Sequence, residues 1–279
     1  MQNISYCADL VRRSDNDRFL CAQFAPPHVR EALYALYAFN IELARIPERV
    51  SEPLLGEIRF QWWRDAMGAI FEENPSAHEV IGPLAKAIGD FALDRALLGK
   101  LIDTRMRDLA ETPIADMVMF DDYAAGTAGV LAQLTQDIIG VDDVLAREAA
   151  SNVAVAWAVC AVLRAVPYHA GRGQVFVPLQ TLAAAGAHKT MVLSRQGSPE
   201  IKQAMGLLAD YARRRLAAAR IASKEIPRAA LPALLPAALA DAWLTRFQKA
   251  GFNPFDATLQ RVAATRPLRL WFYAWRGRY

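Results

Sequence analysis

Two places in this chain have the spacing of a carboxylate metal site and lack most of the carboxylates. Ala44 and Glu48 lie four residues apart, so they share a face if the helix that begins near His28 runs that far. Ala165 and His169 repeat the interval, directly after Arg164. Acids at such positions on two facing helices would hold Mg2+, which takes hard oxygen ligands and lets substrate phosphates complete its shell. A cationic surround would then stabilise a departing diphosphate. Alanine offers no ligand, and His169 is a poor one for Mg2+. Glu48 alone remains, so these positions predict no metal and no catalytic residue.

Other chemistries find less support. There is no GxSxG elbow and no HExxH pair. His28, His78, His169 and His188 have no informative neighbours, and Cys7, Cys21 and Cys160 have neither zinc spacing nor a catalytic context. These cysteines fit small buried side chains in a reducing compartment. Gly171 and Gly173 stand in a loop without the full phosphate-binding pattern. Nucleic-acid binding would rest on charge alone, without a recognisable module, and is not expected.

The elements that would position these residues are helices. Alanine is abundant, β-branched runs are rare, and periodic stretches of helical length repeat over 279 residues without a clear linker, which predicts one all-α domain spanning 1–279. In residues 28–48, Leu33, Leu36, Tyr37, Asn40, Ile41 and Ala44 form a broad stripe. Pro47 is expected to end or bend that helix. Tyr37, Asn40 and Ile41 are candidates to line a pocket, together with Gly126 and Trp157 from later helices. Ser51 is a candidate cap for a helix starting near Pro53. Adjacent Trp62 and Trp63 cannot both point inward, so one is expected in the core and the other at a rim or surface. Asp94, Asp103 and Asp108 read as a solvated face. Gly126, Ala128 and Gly129 would let a helix or ligand approach closely. Pro167 is expected to interrupt the helix over 142–166. Further helices are expected at 4–14 (Tyr6, Leu10 and Val11 inward), 77–89, 92–109, 199–223, 228–249 and 258–274.

Charge is unevenly distributed. Residues 1–180 hold 16 Lys or Arg and 24 Asp or Glu; residues 181–279 hold 16 and 5. The basic third is either a solvated surface or a face for an anionic partner such as phospholipid, an acidic protein or a diphosphate. The ending RPLRLWFYAWRGRY sets Trp271, Phe272, Tyr273, Trp275 and Tyr279 among arginines, which suits a last core helix, a membrane interface, or one face of each. No 20-residue apolar run is free of charge, so no membrane span is expected. The first residues lack the apolar segment of a signal peptide.

Four segments carry a family resemblance: ALYAFN at 35–40, QWWRDAM at 61–67, YAAGTAG at 123–129 and LRAVPYHAGRGQVFVP at 163–178. With them the chain resembles the squalene/phytoene synthase family over nearly its whole length. That resemblance implies a single-domain isoprenoid synthase-like helical bundle. It also implies a family activity, head-to-head condensation of prenyl diphosphates on Mg2+ held by two aspartate-rich motifs. On it, Ala44 and Glu48 occupy the first motif, and Ala165 and His169 the second, where Arg164 keeps the preceding arginine. Three of the four acid positions are therefore non-acidic. ELARIPERVSE, LRAVPYH and the aromatic ending resemble the family's non-enzymatic branch, that of the mitochondrial respiratory complex I assembly factor with a phytoene-synthase-like domain. Resemblance to that branch implies an inactive protein of complex I assembly, peripheral on the inner face of the cell membrane, with a complex I subunit or assembly protein as partner. The alternatives left open are an active prenyl-diphosphate transferase, the one reading in which Mg2+ is expected as a cofactor, and a non-catalytic carrier of isoprenoid or lipid.

Overall fold

The computed structural model describes residues 4–110, 112–261 and 264–279, and every regular element among them is helical. The first helices are α1 (Tyr6–Ser14), capped by the Ser5 hydroxyl, and α2 (Asn16–Ala22), capped by Asp15. A short 3-10 turn at Pro27–Val29 leads into α3 (Arg30–Ala44). The backbone then breaks at Arg45, and α4 (Ile46–Arg49) carries Pro47 in its first turn, where a missing N–H is harmless. α5 (Pro53–Phe71) starts after Glu52 with no side-chain cap, so Ser51 does not cap it. Then come α6 (Ile81–Phe91), α7 (Arg95–Met106), α8 (Met117–Ala124) and α9 (Val130–Ile138).

Ala125–Gly129 joins α8 to α9 as one π turn. Its glycine content has a packing reason: a Cβ on Gly126 would lie 2.3 Å from the Thr104 Oγ1 of α7. The helix after it, α10 (Val144–Gly171), runs straight through Pro167, contrary to the interruption that proline predicts. Proline removes one backbone donor, but Val166 and Ala170 on either side are buried in the core, and that packing holds the last turn. α10 is apolar and long enough to cross a membrane by composition, yet 61% of its most apolar window is buried within the protein, which makes it the central core helix. The chain closes with α11 (Leu179–Ala184), α12 (Lys189–Leu193), α13 (Pro199–Ala219), α14 (Leu231–Leu234), α15 (Pro236–Lys249) and α16 (Arg266–Arg276). α16 begins later than its periodicity suggests; of the predicted span 258–274, Val262 and Ala263 lie outside the described residues.

Two apolar cores result. One gathers α1, α3, α5, α6, α7 and α9; the other gathers α8, α10, α13 and α15, with Leu270 of α16. Val11 is fully buried in the first, whereas Tyr6, expected inward, is exposed because α1 packs on α3 through Cys7, Ala8 and Val11. Trp63 is buried edge-on to Phe39, and Trp62 stands exposed beside it. All three cysteines are free and buried, and burial pushes the Cys7 thiol up to about 11 and Cys160 to about 12.

Candidate functional site

Between the two cores lies a cavity of about 740 Å³. α4 and the end of α3 form one wall, α10 the wall opposite, and α2, the end of α7, the π turn and α15 complete it. Ala44 and Glu48 face it from the first wall; Arg164, Ala165 and His169 face it from the second, with Trp157 about two turns before Arg164 on the same helix. The sequence positions separated by over a hundred residues are thus brought onto one space.

The two walls touch. The Tyr168 hydroxyl donates to the Glu48 carboxylate at 2.9 Å, and the Arg172 guanidinium lies over the Tyr168 ring at 5.8 Å. His169 is half-buried between Tyr168 and Phe176, whose ring centroid is 4.4 Å away. Its buried Nδ1 has no hydrogen-bond partner. Burial lowers the His169 pKa from its usual value, against the opposing pull of Gln174, Asp108 and Glu48, so the ring is neutral near pH 7.

The remaining acids of the cavity are held by arginines. Asp17, 7% exposed, accepts from Arg164 at 3.2 Å and from Arg266. Arg105 donates to the Asn40 side-chain carbonyl at 3.1 and 3.3 Å, to Asp108 at 3.3 Å and to the Tyr123 oxygen at 3.0 Å. Tyr123 in turn donates to Asp108 at 2.7 Å. Burial raises the pKa of Asp108 and of Tyr123, and Arg105 opposes both shifts. Asp108 is therefore not part of a solvated face: the 3-10 turn at Arg107–Leu109, just after α7, carries it inward to Tyr123 of α8. Asp103 does sit on the surface, paired with Arg64.

Four residues proposed from sequence as pocket lining do not line the cavity. Tyr37 is buried and bonds Thr135 at 3.0 Å; Ile41 belongs to the first apolar core. Gly126 abuts Thr104. Asn40 lies one layer behind the wall, holding Arg105. A broad apolar stripe marks the face toward the core, and on α3 that face looks away from the cavity. Asp17, Arg266, Arg105 and Tyr123 were missed. Asp17 and Arg266 are 249 residues apart, and neither has a local pattern that would mark it; Tyr123 stood within YAAGTAG as a landmark without a role.

Mg2+ does not fit this donor set. Its octahedral oxygen shell needs free carboxylates; here Glu48 bonds Tyr168, while Asp17 and Asp108 are neutralised by arginines. Among the described residues no three His, Cys, Asp or Glu side chains converge as a metal site. Eight arginines against four acids give the lining a positive balance, so the space is suited to an anion and an apolar body together.

An all-helical bundle enclosing a central cavity between two motif-bearing helices is the isoprenoid synthase type of fold. The family model for squalene/phytoene synthase matches residues 11–268, and the chain belongs to that family. It is 32% identical to the mouse NADH dehydrogenase (ubiquinone) complex I, assembly factor 6, over 98% of this chain and 82% of the mouse protein. The Drosophila melanogaster homolog of that factor is 27% identical, over 88% and 76%. Among solved structures, squalene synthase HpnC from Alicyclobacillus acidocaldarius superposes with a TM-score of 0.79 at 19% identity, covering 89% of this chain and 94% of that one. A dehydrosqualene synthase crystallised with a ligand superposes at 0.82 and 16% identity, covering 97% and 94%. At these identities the two structures speak for the fold alone.

Proposed function

We propose that this protein is a non-catalytic member of its family that serves respiratory complex I assembly at a membrane surface. One observation carries the reading: the two motif walls meet across the cavity with alanine or histidine at three of four acid positions, while the other acids are committed to arginines. Similarity to assembly factors of complex I supports the role and suggests a complex I subunit or assembly protein as partner. No cofactor enters this reading.

The membrane part of the proposal draws on α16. Leu268, Trp271, Phe272 and Trp275 are exposed on one side of it, Trp275 at 67%, and Trp271 and Trp275 stack in parallel. Arg276 lies over Phe272 at 4.9 Å, and only Leu270 of this helix is buried. Indole rings suit the headgroup level and arginines suit anionic lipid. The corresponding location is the inner face of the cell membrane.

Deleting the gene tests the assembly role: assembled complex I on native gels and NADH oxidation should both fall, and unchanged levels would rule the role out. Incubation of the purified protein with farnesyl or geranylgeranyl diphosphate and Mg2+ tests inactivity. Diphosphate release above a heat-killed control would restore the transferase reading. Flotation with anionic vesicles, lost on W271S/W275S, tests the membrane part.

A further inference from the structure

A second exposed apolar face lies on α5, far from α16 in sequence and set, unlike α16, in a stretch of chain with a surplus of acids. Leu54, Leu55, Ile58 and Trp62 recur at steps of three and four and are all exposed, Leu54 at 62% and Ile58 at 59%. The backbone beneath them needs none of these side chains: α5 packs inward through Phe60, Trp63, Met67 and Ile70. Trp62 is nonetheless not loose. It packs edge-on to buried Trp63 at 5.0 Å between centroids and against His78 at 5.6 Å. An immobilised indole in an apolar stripe has the character of an interface anchor.

The charges around the stripe choose its occupant. Glu57 borders it on one side and exposed Arg59 on the other, and Asp65 and Glu72 continue its line about one and three turns beyond Trp62. From Glu52 to Glu79 the chain carries Glu52, Glu57, Asp65, Glu72, Glu73 and Glu79 against Arg59 and Arg64, and Arg64 is already paired with Asp103. An anionic bilayer would be repelled here, and two copies meeting face to face would set acid against acid. A basic rim around an apolar stripe is the complement.

We infer that α5 is a docking face for a basic, amphipathic helix of another protein, which lays its apolar side along Leu54, Ile58 and Trp62. This goes beyond the assembly reading and does not need it. The probe is a labelled peptide of roughly 18 residues, about five helical turns, in a Leu/Lys amphipathic pattern. Its counterpart replaces each Lys by Glu.

By fluorescence anisotropy at low salt, the full-length protein should bind the Lys peptide at least about tenfold more tightly than the Glu peptide. L54S/I58S, at exposed positions that leave the core intact, should weaken that binding by about tenfold. E57K/D65K should remove or invert the preference. Equal binding of both peptides, no binding, or Lys-peptide binding untouched by L54S/I58S would overturn the inference. So would protection of Trp62 from quencher by vesicles of phosphatidylcholine and phosphatidylglycerol, or self-association lost in L54S/I58S. Loss of complex I on gene deletion, or its absence, bears on the assembly role and leaves this result standing.

Discussion

The motif wall and the arginine clusters of the cavity use the same residue types to opposite ends. On the motif wall, Glu48 is exposed, and its bond from Tyr168 spans the solvent edge. At the clusters, Asp17 is buried and Asp108 largely so, and both are fully engaged, by Arg164, Arg266, Arg105 and Tyr123. A carboxylate that must bind a metal has to keep lone pairs free. One that only holds helices together has to spend none in solvent. In this cavity Asp17 and Asp108 are of the second kind, and at these clusters charge serves architecture: Asp17 ties α2 to α10 and α16, and Arg105 ties α7 to α3 and α8.

Asp17→Ala should break that contrast hardest. It leaves two guanidinium groups without their shared counter-charge. Removing one partner of a buried pair costs about 3–5 kcal/mol, and partial exposure of Arg164 puts this site at the low end, about 3. Thermal denaturation should show a midpoint lower by several degrees, whereas Glu48→Gln should move it by less than about 1 °C. Equal effects would erase the difference between the two regions. Arg105→Met comes next, at about 2 kcal/mol in urea unfolding, because Asp108 can take up a proton once its partner is gone. A cost near that of Asp17→Ala would mean that Asp108 stays ionised without Arg105.

How much of the molecule is legible in its sequence depends on the range of each signal. The α-helical class, the break near Pro47, the inward-outward split of Trp63 and Trp62 and the meeting of residues 44 and 48 with 165 and 169 on one space are readable, since each rests on local periodicity or on a family landmark. The lining is not. Tyr37 and Ile41 belong to a stripe on α3, but a stripe says only that a face is buried, not whether a core or a cavity covers it. Asp108 looks like one more surface acid in the helix expected over 92–109 because nothing within a few residues announces its bond from Tyr123. Pro167 predicts a break by its own chemistry, which the packing of Val166 and Ala170 overrides.

A smaller effect sharpens the contrast from the other side. A44D/A165D/H169D would place free acids on both walls beside Glu48. If those walls still stand at metal-binding distance, Mg2+ should stabilise the variant and leave the natural protein unchanged. With a dissociation constant of about 1 mM, about 10 mM Mg2+ would add about 1.4 kcal/mol, visible in melting and in calorimetry. Mg2+ indifference in a folded variant would show that the walls stand too far apart to share an ion even when both carry acids.

The smallest effect is a slope. In the unfolded chain His169 takes up its proton around the ordinary histidine value, about 6.5. In the folded protein burial between Tyr168 and Phe176 holds its pKa lower. Between those two values the unfolded chain binds more protons, so stability rises with pH there. The contribution is complete above the ordinary value, declines as pH falls through it, and levels off below the depressed one. His169→Phe keeps a ring against Phe176 and removes the proton. Urea unfolding at about pH 7.5 and about pH 5 should therefore give a shallower loss for the variant than for the natural protein. Equal losses would mean that His169 is solvated in the folded state, and the motif wall would then be open to water at the very position where its second acid is missing.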